Sequence, residues 1–324
     1  MGFFRKIMET GQAVIDAEAY LVDDPFLGDP VVHEWAARLD RGEDVAFRAY
    51  LAAEPDLERR DFTIQAIASA SSEPLDWVDR WVADEPESAL AHMVLGVRLV
   101  HWAWVARTGA SAKHVKREQF EEFFVRLERS WEAFERAIEL DPEEASTYAM
   151  MIDCAKGLNA DLDTRIDLYD TAQELRPWQQ VAHSSLIQAL AKKWGGSKEG
   201  MLEFARHVTE SAPEGSTVHV VIPEAHVEIA LDEGDRHLRR PEVLREIVEA
   251  AERSVDSTHL VDAPSLPRVH DYFGYCFWLA GEHERARREF ERAGPYMAGP
   301  FRFLRDPMKM LARARREVGA PLRP

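Results

Sequence analysis

Apolar positions recur along almost the whole chain at spacings of three and four, the period of a helix with one face turned inward. The clearest stripe is Phe120, Phe123, Leu127, Trp131, Phe134 and Ile138. Alternation with a period of two occurs only in Val218-His219-Val220-Val221-Ile222. That run has strand propensity, but its helical surroundings and Pro223 favour a helix start or an extended loop. Prolines punctuate the predicted helices at Pro55, Pro86, Pro142, Pro177 and Pro213. A proline just past a helix end stops it, because the ring removes an N–H and clashes with the preceding turn. The last three are 35 and 36 residues apart, and each follows a similar phrase: Phe134-x-x-Ala137, Tyr169-x-x-Ala172 and Ala205-x-x-Val208.

A period near 34 residues, read as helix–turn–helix, is the signature of a tetratricopeptide-type repeat. The predicted fold is therefore all-α: a tetratricopeptide-like, right-handed helical-repeat solenoid of about seven helix pairs. The best-matched repeat spans about 266–295. Gly274 takes the glycine position with Phe273 before it and Phe277 after it, and Ala286, Phe290 and Ala293 follow in the second helix. Small Gly274 and Ala286 allow the two helix backbones to approach, and Phe290 is expected to fill the space between repeats. A second anchored repeat starts at Ser88 with Leu95-Gly96, but its Phe134, Ala137 and Pro142 arrive about 22 residues late. The surplus, Val97 to Arg129, is itself helical in pattern and is divided by the turn Thr108-Gly109-Ala110-Ser111. One helix pair is thus elongated, by roughly three turns per helix at 3.6 residues per turn.

Three regions follow: irregular helix pairs over 1–87, repeats with the elongated hairpin over 88–213, and further pairs over 214–324. The last region has predicted helices at about 217–233 and 240–255. The loop Asp256 to Pro267 is its expected hinge or boundary, and a basic helix ends it.

Three stretches lie around the distinctive Trp194-Gly195-Gly196-Ser197, with Met201-Leu202-x-Phe204-Ala205-Arg206 after it. They are His101-Trp102-Ala103-Trp104-Val105-Ala106-Arg107-Thr108-Gly109, Leu127-x-x-Ser130-Trp131-x-Ala133-Phe134, and Ala137-Ile138-Glu139-Leu140-Asp141-Pro142. With these, about residues 85–215 resemble family 4034 of the domains of unknown function, a group of uncharacterised bacterial proteins. The resemblance implies a tetratricopeptide-like helical fold and assigns no activity or functional residue.

Composition narrows the function. A formal charge of −18 over 324 residues argues against a nucleic-acid partner, since phosphate binding needs a local excess of Lys and Arg. The exception is Phe301 to Pro324, with seven basic residues against Asp306 and Glu317, which suits a solvated last helix. Two separated cysteines, Cys154 and Cys276, build no disulfide framework and fit a reducing, cytoplasmic setting. The first residues, Met1-Gly2-Phe3-Phe4-Arg5-Lys6, carry neither a signal-peptide core nor a myristoylation pattern. The apolar run Met93 to Val105 is broken by Arg98 and His101, so no membrane segment is expected.

Motifs with chemical potential mostly read as structure. Trp194 to Ser197 could cradle an anion, but no Gly-Lys-Ser/Thr follows; Gly195 or Gly196 ends one helix and Ser197 caps the next. Glu199 stands where a nucleophile elbow needs glycine. His219, Glu224, His226 and Glu228 are the richest metal-type cluster, without a zinc spacing, and read as partly exposed helix residues. Asp161, Asp163, Asp167 and Asp170 lack the glycine and glutamate of a calcium loop; Asp161 or Asp163 reads as a helix cap. Cys154 reads as a buried contact. Among the nine tryptophans, Trp102, Trp104, Trp131, Trp178 and Trp194 are expected to be mostly core.

The first helix of each pair is expected to line a concave groove. Its residues would be Met93, Val97 and Trp104, then Met150 and Cys154, then Arg268, Asp271, Tyr275 and Trp278. Such a groove suits a peptide or helical segment. The expected function is a non-enzymatic protein-interaction module without metal or cofactor, and the acidic surface biases it toward basic partners. Two alternatives stand beside it: a small-molecule sensor or enzyme with a pocket near Trp104 and Trp131, and a self-assembling structural protein.

Overall fold

The computed structural model describes residues 21–70, 75–107 and 116–322. Among the described residues the fold is all-α, with fifteen α-helices and one isolated bridge, Val22 to Tyr296. The helices are α1 (Pro30–Asp40), α2 (Asp44–Ala53), α3 (Leu57–Ser69), α4 (Asp76–Asp84), α5 (Ala89–Arg107), α6 (Arg117–Leu140), α7 (Ala145–Gly157) and α8 (Leu162–Leu175). Then come α9 (Gln180–Ala189), α10 (Lys198–Ser211), α11 (Val221–Glu233), α12 (Pro241–Arg253), α13 (Leu266–Ala280), α14 (His283–Ala293) and α15 (Pro307–Val318).

The proline punctuation is regular in three dimensions. Helices α2, α4, α6, α8 and α10 end at Ala53, Asp84, Leu140, Leu175 and Ser211, each two residues before its proline. The residue between is pushed out of the helical region by the following ring: Glu54 and Arg176 are extended, and Glu85 and Asp141 have also left the helix. Asp161 caps α8, accepting the Thr164 N–H at 2.8 Å. The Val218–Ile222 run is a 3-10 turn, Thr217–Val220, leading straight into α11.

The chain forms two compact units, Asp29–Met201, and Met1–Gly28 together with Leu202–Pro324. In Asp29–Met201, the odd-numbered helices pack in succession: α1 on α3, α3 on α5, α5 on α7, α7 on α9. The longest helices, α5 and α6, lie against each other. They have 19 and 24 residues, against 13 and 14 in α7 and α8. So α6 gains close to the three extra turns expected, α5 fewer, and the turn at Thr108–Ser111 lies outside the described residues. Helix α5 is long and apolar enough to cross a membrane by length and composition alone, and its Met93, Val94, Val97, Leu99 and Val100 are buried by neighbouring helices. Helix α7 is enclosed on nearly every side, as its lack of a polar face requires.

Gly96 and Gly274 lie where two helices approach closely, and the ring each one meets belongs to the second helix of its own pair. A Cβ on Gly96 would fall 2.7 Å from the Phe134 ring, and one on Gly274 would fall 2.7 Å from the Phe290 ring. Both phenylalanines are fully buried. In each pair a ring of the second helix occupies the space a side chain on the first would need.

A polar centre joins α3 to the start of α7 and the turn before α9. Asp61 is buried and accepts from Arg176 and from Gln179 Nε2 at 2.9 Å. Arg60 donates to Glu144 at 2.7 Å and to Ser146 at 3.2 Å. Trp178 sits in the left-handed region at φ 65°, which lets the turn send Arg176 and Gln179 toward Asp61. Burial, and then the Asp61 charge, pushes Glu58 from its ordinary 4.5 up to about 7. A raised carboxyl stabilises the fold fully below the unfolded value and loses that contribution as pH rises through the folded one. Urea midpoints should therefore fall between pH 5 and 8, and Glu58→Gln should flatten that slope; an unchanged slope contradicts the assignment.

In the second unit, α13 is the enclosed helix, packed by α11, α12, α14, α15 and three 3-10 turns. The segment Leu21–Gly28 joins it through main-chain bonds of Val22 with Pro295 and Met297 (2.9 and 2.8 Å), burying Leu21 and Phe26. The loop expected as a hinge is instead pinned. Gly215 bonds to Arg253 and Val261 through its backbone, its φ is +79°, and any Cβ would strike His259 O at 1.9 Å. Arg292 adds bonds to Val255 O and Asp256, each at 3.1 Å.

Candidate functional site

The residues expected to line a groove fall in both units. In Asp29–Met201, Met93, Val97, Met150 and Cys154 are buried, so their side chains fill space between helices and present no open surface. Only Trp104 of that set is half-buried. In the other unit Asp271 and Tyr275 are buried. Asp271 accepts the Ala298 N–H at 2.9 Å, and burial pushes its carboxyl up to about 8; it anchors backbone. Arg268 is tied to buried Glu224 at 2.6 Å. Trp278 is 6% exposed and lines a cleft. For the buried residues the reason is shared: α5, α7 and α13 are each packed against several helices, so those positions meet neighbours and not solvent.

The tryptophans depart the other way. Trp102, Trp104, Trp131, Trp178 and Trp194 are all half-buried, so the expectation that they are mostly core does not hold. Trp104 and Trp194 meet edge to face with centroids 5.6 Å apart, and Trp104 meets Phe123 at 5.0 Å. The surplus turns of α5 carry Trp104 to the Trp194 turn, two helix pairs further along the chain. Over the three rings lies Arg107, its guanidinium carbon 5.2 Å from the Trp104 centroid, 5.9 Å from Trp194 and 6.0 Å from Phe123. These are cation–π distances. Among the described residues no carboxylate pairs with Arg107, whereas most arginines of the chain are so paired.

Below the rings the charges are balanced. Lys156 lies 5.8 Å from the Trp104 centroid and 2.5 Å from Asp153, which also accepts from Ser185 at 3.2 Å. Burial opposes the Asp153 charge, but Lys156 and the Ser185 hydrogen bond together hold the carboxyl below its ordinary value. Desolvation drives His101 down to about 4, leaving it neutral at pH 7. The patch is thus cationic through Arg107; Lys192 and Lys193, beside Trp194, are exposed.

No protein-family model matches the chain, and no curated protein does.

The Trp194 turn is built as the glycines suggested, each for its own reason. Gly195 is left-handed at φ 88° and closes the turn Lys192–Trp194. A Cβ on Gly196 would overlap Leu190 O at 2.0 Å. Ser197 Oγ accepts the Gly200 N–H at 3.0 Å, capping α10. The piece hidden from sequence is Arg165 of α8, which is buried and donates to three carbonyls: Ala189 (3.0 Å), Trp194 (2.8 Å) and Ala160 (2.7 Å). It fixes the turn that presents Trp194. Nothing in the spacing around Arg165 sets it apart from a surface arginine.

The other chemistry-bearing residues are tied into structure. His219, Glu224, His226 and Glu228 are buried rather than partly exposed. His219 meets Pro213 O at 2.9 Å, and His226 meets His237 at 3.0 Å and Glu246 at 3.3 Å. Among the described residues no three such side chains are placed to hold a metal. Cys154 donates to Leu127 O at 3.3 Å, and burial pushes its thiol up to about 12, so it carries almost no thiolate at neutral pH.

Proposed function

We propose that this chain is a tetratricopeptide-like interaction module, without enzymatic activity, that takes an acidic, aromatic-bearing peptide segment on the Trp104–Arg107–Trp194 patch. The observation that carries this is Arg107. Its guanidinium lies against three aromatic rings with no described carboxylate on it. A guanidinium so placed is preorganised to hold a carboxylate by its fork, and half-buried tryptophans are typical anchors of an interface. The repeat reading draws support from the proline spacing, the succession of α1, α3, α5, α7 and α9, and the matching Gly96–Phe134 and Gly274–Phe290 pairs. Whole-chain acidity favours a basic partner in general, but Arg107, with no described carboxylate on it, reverses that preference at the patch. A contact of this kind works by local complementarity, since charges beyond about 8–10 Å are screened at physiological salt.

Panning a random peptide library on the full chain tests the proposal. Acidic sequences with an aromatic residue should be enriched. Arg107→Ala should weaken the selected peptide at least about 10-fold, near 1.4 kcal/mol, while the chain stays folded and loses only about 0.5–1 kcal/mol of stability with the cation–π contact. Enrichment of basic peptides, or affinity indifferent to Arg107, overturns it.

A further inference from the structure

A cleft of about 430 Å³ opens in the second unit where the end of α13 meets α14, α15 and the 3-10 turn Asp235–Arg239. That volume is in the range of small-ligand sites. One wall is Trp278, fixed in place on its far side by Tyr275 (centroids 5.9 Å apart) and Phe301 (6.3 Å). Its indole N–H donates to Glu317 at 2.7 Å. Met310 adds a second apolar surface.

Two guanidiniums also line the cleft, and both are held by the same edge. Arg239 donates from Nε to Leu279 O at 2.9 Å, and Arg313 from Nε to Glu317 at 2.7 Å, with its carbon 5.9 Å from the Trp278 centroid. Their terminal nitrogens make no bond to a carboxylate among the described residues. Exposed His283 lies on the same rim. Of the two acids in the lining, Glu317 is occupied by Trp278 and Arg313, which leaves exposed Asp235 against two arginines.

We propose that this cleft binds a small organic anion with a flat apolar body. Its carboxylate or phosphate monoester lies between Arg239 and Arg313, and its ring lies against Trp278 and Met310. Anchoring each arginine by Nε leaves the Nη pair oriented for an oxyanion at little further entropic cost. The aromatic wall supplies the affinity that an exposed ion contact lacks.

The test is calorimetric titration of the full chain with phenyl phosphate and with benzoate, using inorganic phosphate as the control. Saturable one-to-one binding of at least one aromatic anion is expected, at least 10-fold tighter than inorganic phosphate. Whichever aromatic anion binds more tightly identifies the head group. Arg239→Ala and Arg313→Ala should each weaken it 10-fold or more, and Trp278→Phe should weaken it less. Arg107→Ala should leave it unchanged, which separates this site from the peptide patch. Absent binding, equal affinity for inorganic phosphate, or indifference to both arginine variants would overturn the assignment. Should either arginine variant unfold, Arg239→Lys and Arg313→Lys, which retain charge but lose the fork, provide the same reading.

Discussion

Asp61→Ala should lower the stability of the chain by about 3–5 kcal/mol, the cost of breaking a buried ion pair from one side. Asp61 is 2% exposed and accepts from Arg176 and Gln179, with Arg60 3.8 Å away. Removing the carboxylate leaves partly buried Arg176 without its hydrogen-bonded counter-charge and strands the Gln179 amide. The loss should exceed anything from the exposed pairs, such as Arg117–Glu121, where about 0–1 kcal/mol is usual. Chemical denaturation of Asp61→Ala, Arg176→Met and the double variant separates the contributions. The double variant should recover much of the single loss, because it no longer buries an uncompensated guanidinium. Additive losses would mean the two side chains are not coupled.

Phe290→Ala should cost about 3–5 kcal/mol, from lost transfer energy plus the cavity left behind. The ring is fully buried, fills the space at Gly274, and meets Phe301 with centroids 5.9 Å apart. Phe134→Ala, its counterpart at Gly96 in the other unit, should cost a similar amount. The reverse change is informative. Gly274→Ala places a methyl 2.7 Å from the Phe290 ring, an overpacking worth about 1–3 kcal/mol. In the Phe290→Ala background that penalty should vanish, since the methyl then enters the cavity. A Gly274→Ala penalty unchanged by Phe290→Ala would exclude this steric explanation. Thermal or urea unfolding reads all of these variants.

Much of the architecture was legible in the chain. The 3.6-residue period gave the helices, and the prolines gave the ends of five of them. Gly274 and Phe290 could be paired because their offsets matched a repeat. The site was legible only in pieces. Trp104 and the Trp194 turn each stood out, one by lying in the elongated hairpin and the other by its glycines. That they touch, and that Arg107 lies over both, depends on how far α5 projects.

The groove residues show where the reading failed. Periodicity places Met93, Met150 and Cys154 on a particular helix face, but it cannot tell whether that face meets solvent or another helix. Helix α7 has no polar side, which is consistent with either a lined groove or complete enclosure. The neighbours of α7 settle it as enclosure.

By itself the sequence determined the all-α class, the helix ends and the close glycine contacts, because each follows from forces acting within a few residues or from a fixed repeat offset. Only the tertiary structure decided that Arg165 clamps the Trp194 turn, that Asp61 gathers Arg176 and Gln179, and that Arg239 and Arg313 share a cleft. Those partners lie 24 to 118 residues apart, and an arginine's local neighbours look the same whether its guanidinium ends in water, on a carbonyl or over an indole.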